Sequence, residues 1–207
     1  MKVAAVQQND VEAFVRRKLD GLLRLGDGAR RAALANLRRG AGRAPGDLPS
    51  LWGTIFDGMP EKIAGTGKDP SRAEWAVYIA LTLYALHQQG RDPAHEPMNA
   101  EGIGMGRAAA QMVRGEGDMD RVLRRFNETA TSSGMEELEH HLRGLVNMLR
   151  AEGIPLDYPR LAGELFAYQS PKPEQAARVR LAWGREFYRF ARRSEQEETE
   201  EANDNGQ

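Results

Sequence analysis

The residues in this 207-residue sequence that could do chemistry are few, and each group can be weighed by its spacing. Glu137-Leu138-Glu139-His140 has the Glu-x-x-His spacing with which helical bundles hold iron or manganese. Such ligands must point into the bundle. Here Leu138 and Leu142 define the inward face, Glu137 and His140 fall on the other side, and no second Glu-x-x-His exists. The expectation is no metal, with acids in a first turn favoured by the helix dipole. His87 and His95 stand alone and are expected to be structural. Gly102-Ile103-Gly104-Met105-Gly106 leads into Arg107 and would let backbone amides approach a phosphate. Without a preceding strand it is no dinucleotide fingerprint, and a plain flexible loop accounts for it equally well. No nucleophile elbow, zinc-protease motif or phosphate loop is present, and the chain has no cysteine. No catalytic residue, metal or cofactor is therefore expected.

Arginine is the remaining signal. Five of the 29 basic residues are lysines (Lys2, Lys18, Lys62, Lys68, Lys172) and the rest are arginines. A guanidinium forms planar, bidentate contacts with phosphate, although codon bias in a GC-rich genome would also enrich it. Periodicity places Arg121, Arg124 and Arg125 opposite Val122, Leu123 and Phe126 on one helix. Arg143 and Arg150 stand off the stripe Leu138, Leu142, Leu145, Val146, Leu149 on the next. Near the C-terminus, Arg178, Arg185, Arg189 and Arg192 lie opposite Val179, Trp183, Phe187 and Phe190. The plain alternative is a set of solvated faces carrying pairs such as Glu139 with Arg143, each worth a few tenths of a kcal/mol.

The elements that must position these residues are helical throughout. Asp10 can cap a first helix bearing Val11, Phe14, Val15, Leu19, Leu22 and Leu23, which Gly26-Asp27-Gly28 ends. A second, with Arg30, Arg31, Arg38 and Arg39, segregates poorly, so some of its arginines are packing stems as well as charges. After a Gly/Pro loop at 40–50 and a short apolar helix, Ser71-Arg72-Ala73-Glu74 has the form of a capping box. The run to His87 is apolar all round and is expected to be the central core helix. A long loop at 90–106 follows, then a short helix over 107–114, the two arginine-bearing helices, a helix opened by Asp157-Tyr158-Pro159, and the last helix from 174. No alternating strand pattern or repeat is visible.

The expected fold is all-α, a helical bundle of two packed lobes (1–95 and 96–193) with a disordered acidic tail at 194–207. That tail holds six acids and no base, which leaves 29 bases against 24 acids in the body. The imbalance suits an anionic partner without approaching the charge of a histone. No apolar run reaches membrane-span length and no signal peptide is visible, so a cytoplasmic location is expected.

Several segments, taken in order, resemble the CasB family, the small subunit of the type I-E CRISPR surveillance complex (Cascade). They are ARRAALANLRR before a proline loop, DPSRAEWAVYIALTLYALHQ, GIGMGRAAA, DRVLRRF, LEHHLRGLVNMLR, PLDYPRLAGEL and VRLAWGREFYRF, together covering most of residues 10–193. The resemblance implies an all-α, non-enzymatic subunit present as two copies lying end to end. It also implies contacts with the guide RNA, the target DNA, the repeated backbone subunits and the large subunit. Such a subunit would hold the guide–target duplex and the displaced strand by their backbones while base pairing reads the sequence. Its basic positions resemble Arg38 or Arg39, Arg72, Arg107, Arg121 and Arg143 here. Arg124, Arg125 and the stripe at 178, 185, 189 and 192 come from periodicity alone. The sequence departs from the family in its acidic tail and in Arg125, beside Phe126, where a more apolar residue is expected. The competing reading is a helical interaction module whose arginine faces pair with acidic surfaces on partner proteins.

Overall fold

The structure, a computed structural model, describes residues 5–204, with side chains described for 5–115 and 117–192. It is built around the run that is apolar all round. Helix α4 (Arg72–His87) starts at a reciprocal capping box: Glu74 N donates to Ser71 Oγ at 3.1 Å and Ser71 N to Glu74 Oε2 at 2.7 Å. From Ala76 to Ala85 every residue of α4 is buried. A helix without a polar face needs cover on every side. That cover comes from α1 (Gln8–Arg24), α2 (Asp27–Arg38), α7 (Met135–Glu152) and α8 (Tyr158–Tyr168), with a smaller contribution from α3 (Trp52–Phe56). The expected stripes face inward, with Val11, Phe14, Val15, Leu19 and Leu22 on α1 and Leu138, Leu142, Leu145, Val146 and Leu149 on α7; Leu23, expected with the first, is instead exposed. Across the expected boundary at 95/96, α1 packs along α8, and the buried residues of both halves form one cluster. Among the described residues there is no strand, only an isolated bridge between Asn99 and Leu156, and no helix is long and apolar enough to cross a membrane.

Most polar side chains inside this core are paired. Tyr158, fully buried, donates its hydroxyl proton to the Leu83 carbonyl at 3.3 Å and stands 2.9 Å from His87 Nδ1. Burial, helped by the Arg91 charge, holds the His87 imidazole neutral with a pKa of about 4. Its role is structural, as its isolation in the sequence suggested. The loop after α4 is pinned rather than free. Gln88 accepts from Met98 N and donates to the Glu96 carbonyl, and Asp157 accepts from Gly102 N while capping α8 through Arg160 N.

The same core continues where α5 (Met105–Ala110), α6 (Glu116–Ala130), α8 and α9 (Pro173–Asp204) meet. Trp183 of α9 is fully buried and donates from Nε1 to Glu164 Oε2 at 2.7 Å. Arg160 reaches Glu164 Oε1 at 2.8 Å and Glu186 Oε1 at 3.0 Å, and Phe187 stacks on Phe126 at 5.1 Å between centroids. Burial raises the Glu164 carboxyl above its ordinary range, against the pull of Arg160. Helix α5 is shorter than the expected 107–114 and begins earlier, and its Gly106 lies against α9. A β-carbon on Gly106 would collide with the Trp183 carbonyl oxygen and lie 2.8 Å from Phe187 N. Gly106 is thus accounted for by close helix packing, whereas Gly102 has φ +79° and open space at its Cβ position. The acidic segment 194–207, expected to be disordered, lies outside the residues whose side chains are described; the helical backbone of α9 is traced to Asp204.

Gly106→Ala is expected to cost about 2 kcal/mol, since the added methyl meets backbone that must move, and urea unfolding measures it. His87 makes a signed pH prediction. Its folded pKa is below the ordinary 6.5, so the unfolded chain binds a proton that the folded chain refuses. Its contribution is present above pH 6.5 and falls away between there and about 4, by up to about 3 kcal/mol. The wild-type loss on acidification should exceed that of His87→Gln by roughly this amount.

Candidate nucleic-acid interface

Helices α6 and α7 pack side by side, and the faces they leave outside meet in an open groove. One end is lined by Arg121, Arg124, Arg125, Glu128 and Met148, the other by Arg125, His140, His141, Arg143, Gly144, Asn147 and Met148. The two ends share Arg125 and Met148, so the groove is continuous and sets four arginines against one glutamate. Amphipathic spacing explains its make-up: Val122 and Phe126 on α6, and the leucine stripe on α7, are buried, which turns the arginines outward. Arg121, Arg124 and Arg125 are exposed, Arg125 included, so its place beside Phe126 does not draw it inward.

The arginines of the groove are held lightly. Arg121 pairs with Asp118 at 2.8 Å and Arg125 with Glu128 at 3.1 Å, each three residues apart on one exposed helix face. The hydrogen bond from Arg121 keeps the Asp118 carboxyl below its ordinary pKa. Exposed pairs of this kind are worth between nothing and about 1 kcal/mol, so a phosphate can replace the carboxylate at little cost. Arg124 has no ion-pair partner among the described residues.

Arg143 is placed differently. Its Nε lies 4.0 Å from Glu139 Oε1, and its guanidinium lies against Gly42, where a β-carbon would collide with it. Glu139 is not on a solvated face; it is buried, and its carboxylate accepts from Gly42 N at 2.7 Å. Burial raises the Glu139 pKa, with Arg143 and the Gly42 amide opposing the rise. The loop after α2 therefore docks on α7 and sets the position of Arg143. Gly42 has φ +81°, a left-handed conformation open to glycine. Nothing in the sequence marked this contact, because a glycine in a Gly/Pro-rich loop carries no periodicity.

The other expected positions are dispersed. Arg38 is half-buried beside Arg30, Arg31 and Arg91 in a cleft of about 570 Å³ between α2 and the turn after α4, while Arg39 is exposed at the end of α2. Arg30, as expected of a packing stem, is consumed by the Leu23 and Leu25 carbonyls and by Asp27. Arg72 lies 4.6 Å over the Phe166 ring and Arg107, half-buried, 4.7 Å over Phe190. Arg178, Arg185 and Arg189 are exposed on α9 and have no ion-pair partner among the described residues. Glu186, next to Arg185 in the sequence, is taken by Arg160. Glu137 and His140 are exposed as expected, and the Glu137 carboxylate ties down the turn before α7 by accepting from Ser133 N at 2.8 Å and Ser133 Oγ at 2.6 Å. His141, Asn147 and Met148 complete the groove and were not singled out by the sequence, having no charge or spacing to mark them.

Residues 33–188 match the family model described as CRISPR-associated protein Cse2. Among solved structures, the chain is similar to CasB from Thermobifida fusca, at 34% identity and TM-score 0.68 over 88% of this chain and 99% of that one. It is similar to a CRISPR-associated protein of the Cse2 family from Thermus thermophilus, at 25% identity and TM-score 0.62 over 84% and 97%. CasB from M. ruber shares the fold at 22% identity and TM-score 0.65 over 90% and 97%. No curated protein sequence matches the chain.

Gly42→Ala tests how Arg143 is placed. The left-handed backbone should cost about 1 kcal/mol, and the methyl should push the guanidinium off its seat. A drop in the urea midpoint of that size, with unchanged helical circular dichroism, is the expected result.

Proposed function

The chain belongs to the CRISPR-associated Cse2 family, and from that premise we propose that it is a non-catalytic Cascade subunit that grips nucleic-acid backbone without reading sequence. In this reading it steadies the duplex of guide RNA and target DNA and the strand displaced by it, seated among the backbone subunits and the large subunit. The observation that carries the reading is the α6–α7 groove: four arginines against one glutamate, on two helices whose other faces are fixed in the core. An open groove of guanidinium groups suits phosphates spaced along a strand. Arg38, Arg39, Arg72 and Arg107 are secondary candidates, each outside the groove and the last two already stacked on aromatic rings.

Every phosphate deprived of its arginine should flatten the slope of log affinity against log salt by about 0.9 for duplex DNA and about 0.7 for a single strand. Arg121→Ala and Arg143→Ala, assembled into the complex, are expected to weaken the hold on all target sequences alike and to reduce that slope. An unchanged slope with normal incorporation of the subunit would remove the groove from the interface. A loss of incorporation with an unchanged slope would favour the competing reading, in which the arginines meet acidic protein surfaces.

A further inference from the structure

An imidazole is the side chain whose charge ordinarily changes between about pH 5 and pH 8, and the α6–α7 groove holds two, His140 and His141. His140 is exposed, and its Nδ1 accepts from Arg143 Nη2 at 3.4 Å, a contact that requires that nitrogen to carry no proton. His141 is bracketed by two carboxylates: Nδ1 lies 3.8 Å from Glu128 Oε2 of α6, and Nε2 lies 3.8 Å from Glu137 Oε1. Glu128 is the one carboxylate lining the groove, and Arg125 holds the same oxygen at 3.1 Å. The other charges around the pair are spoken for or stand further off. Glu137 is engaged by Ser133, and buried Glu139 by the Gly42 amide. Arg43, Asp47 and Glu136 line the adjoining notch beyond Glu139, while Arg121 and Arg124 of α6 line the far end of the groove.

Gly144 forms the floor beside them. It lies in the middle of α7, where glycine is less favourable than alanine, and nothing comes within 4 Å of its Cβ position. The helix backbone is therefore bare between the histidines and Asn147, at the same end of the groove as Arg125 and Arg143. Taking the groove as the nucleic-acid interface, on which this rests, we infer that His140 and His141 make its hold on phosphate depend on protonation, with the strand passing over Gly144. Once charged, His140 can no longer accept from Arg143, and both cations turn to a shared anion to which each donates. Charged His141 draws Glu128 towards itself and so releases Arg125 to a phosphate. His140 is thus a ligand and His141 a positioning residue. A phosphate near an imidazole favours its charged form, so binding and protonation reinforce each other.

Binding of duplex and single-stranded DNA by the assembled complex, followed between about pH 8 and pH 6, tests this. The buried His87, with a pKa of about 4, stays neutral over that range, so the core is unaltered. Titration elsewhere in the complex cancels in the ratio of wild type to variant. An ordinary imidazole that grips only when charged raises affinity about fourfold between about pH 8 and pH 6. His140→Gln should lose about that factor at the acid end, and His141→Gln about twofold, each loss fading as the pH rises. The slope of log affinity against log salt on duplex DNA should also fall by about 0.9 in His140→Gln at the acid end. Gly144→Gln, which fills the floor with a better helix former, should weaken the hold at every pH while raising the urea midpoint. Histidine variants whose pH profiles run parallel to the wild type overturn the inference, as does wild-type affinity in Gly144→Gln. Arg121→Ala and Arg143→Ala complexes, measured alongside, separate the two readings. If they flatten the salt slope while the histidine variants change nothing, the groove stands and its dependence on protonation falls. If neither set matters, the groove falls as well.

Discussion

Everything in this fold answers to the burial of α4. A stretch in which ten consecutive residues, 76–85, are all removed from water has no face to give to solvent, and so requires helices around its whole circumference. Each covering helix contributes one apolar stripe to that task and has the rest of its surface left over. The arginines occupy the leftover surface. The groove between α6 and α7 is the outer side of a packing arrangement whose inner side is the core.

That logic explains how much was visible in advance. Helix identity, the capping box at Ser71, the inward stripes of α1, α7 and α9 and the outward direction of Arg121, Arg124 and Arg185 all follow from periodicity, since burial of one face is what periodicity records. The outward direction of Glu137 and His140 was readable for the same reason: they sit opposite the leucines that face the core.

What escaped the sequence is what depends on contacts between distant residues. Glu139 looked like one half of an exposed i, i+4 pair with Arg143, yet the amide of Gly42, 97 residues away, draws it into the interior. Gly106 looked like part of a flexible or phosphate-approaching loop, yet its missing side chain makes room for the backbone of α9. Arg160 and Glu186 belong to separate helices and meet only because Trp183 brings α9 down onto Glu164. No pattern within a window of one helix can report such meetings, because the cause is a three-dimensional neighbour. The order of whole segments carried more information than any one motif, which is why the family was recognisable while individual site residues were not.

The arginines can also be ranked by what releasing them would cost. Arg160 is half-buried and joined to two carboxylates, one of them deep in the core; removing it would strand Glu164 without its counter-charge. Arg30 is held by two carbonyls and a carboxylate with most of its side chain covered. Neither is available to a ligand. Arg121 and Arg125 sit in exposed pairs that exchange readily with solvent ions, and Arg124 has no ion-pair partner among the described residues. Arg143 lies between these extremes, tied to a buried glutamate at 4.0 Å and steered by Gly42, so its direction is fixed while its charge remains accessible. A surface that must hold a phosphate chain of any sequence benefits from this mixture. On the proposed reading, one positioned guanidinium would set the path of the phosphates, and the loosely paired ones would follow it.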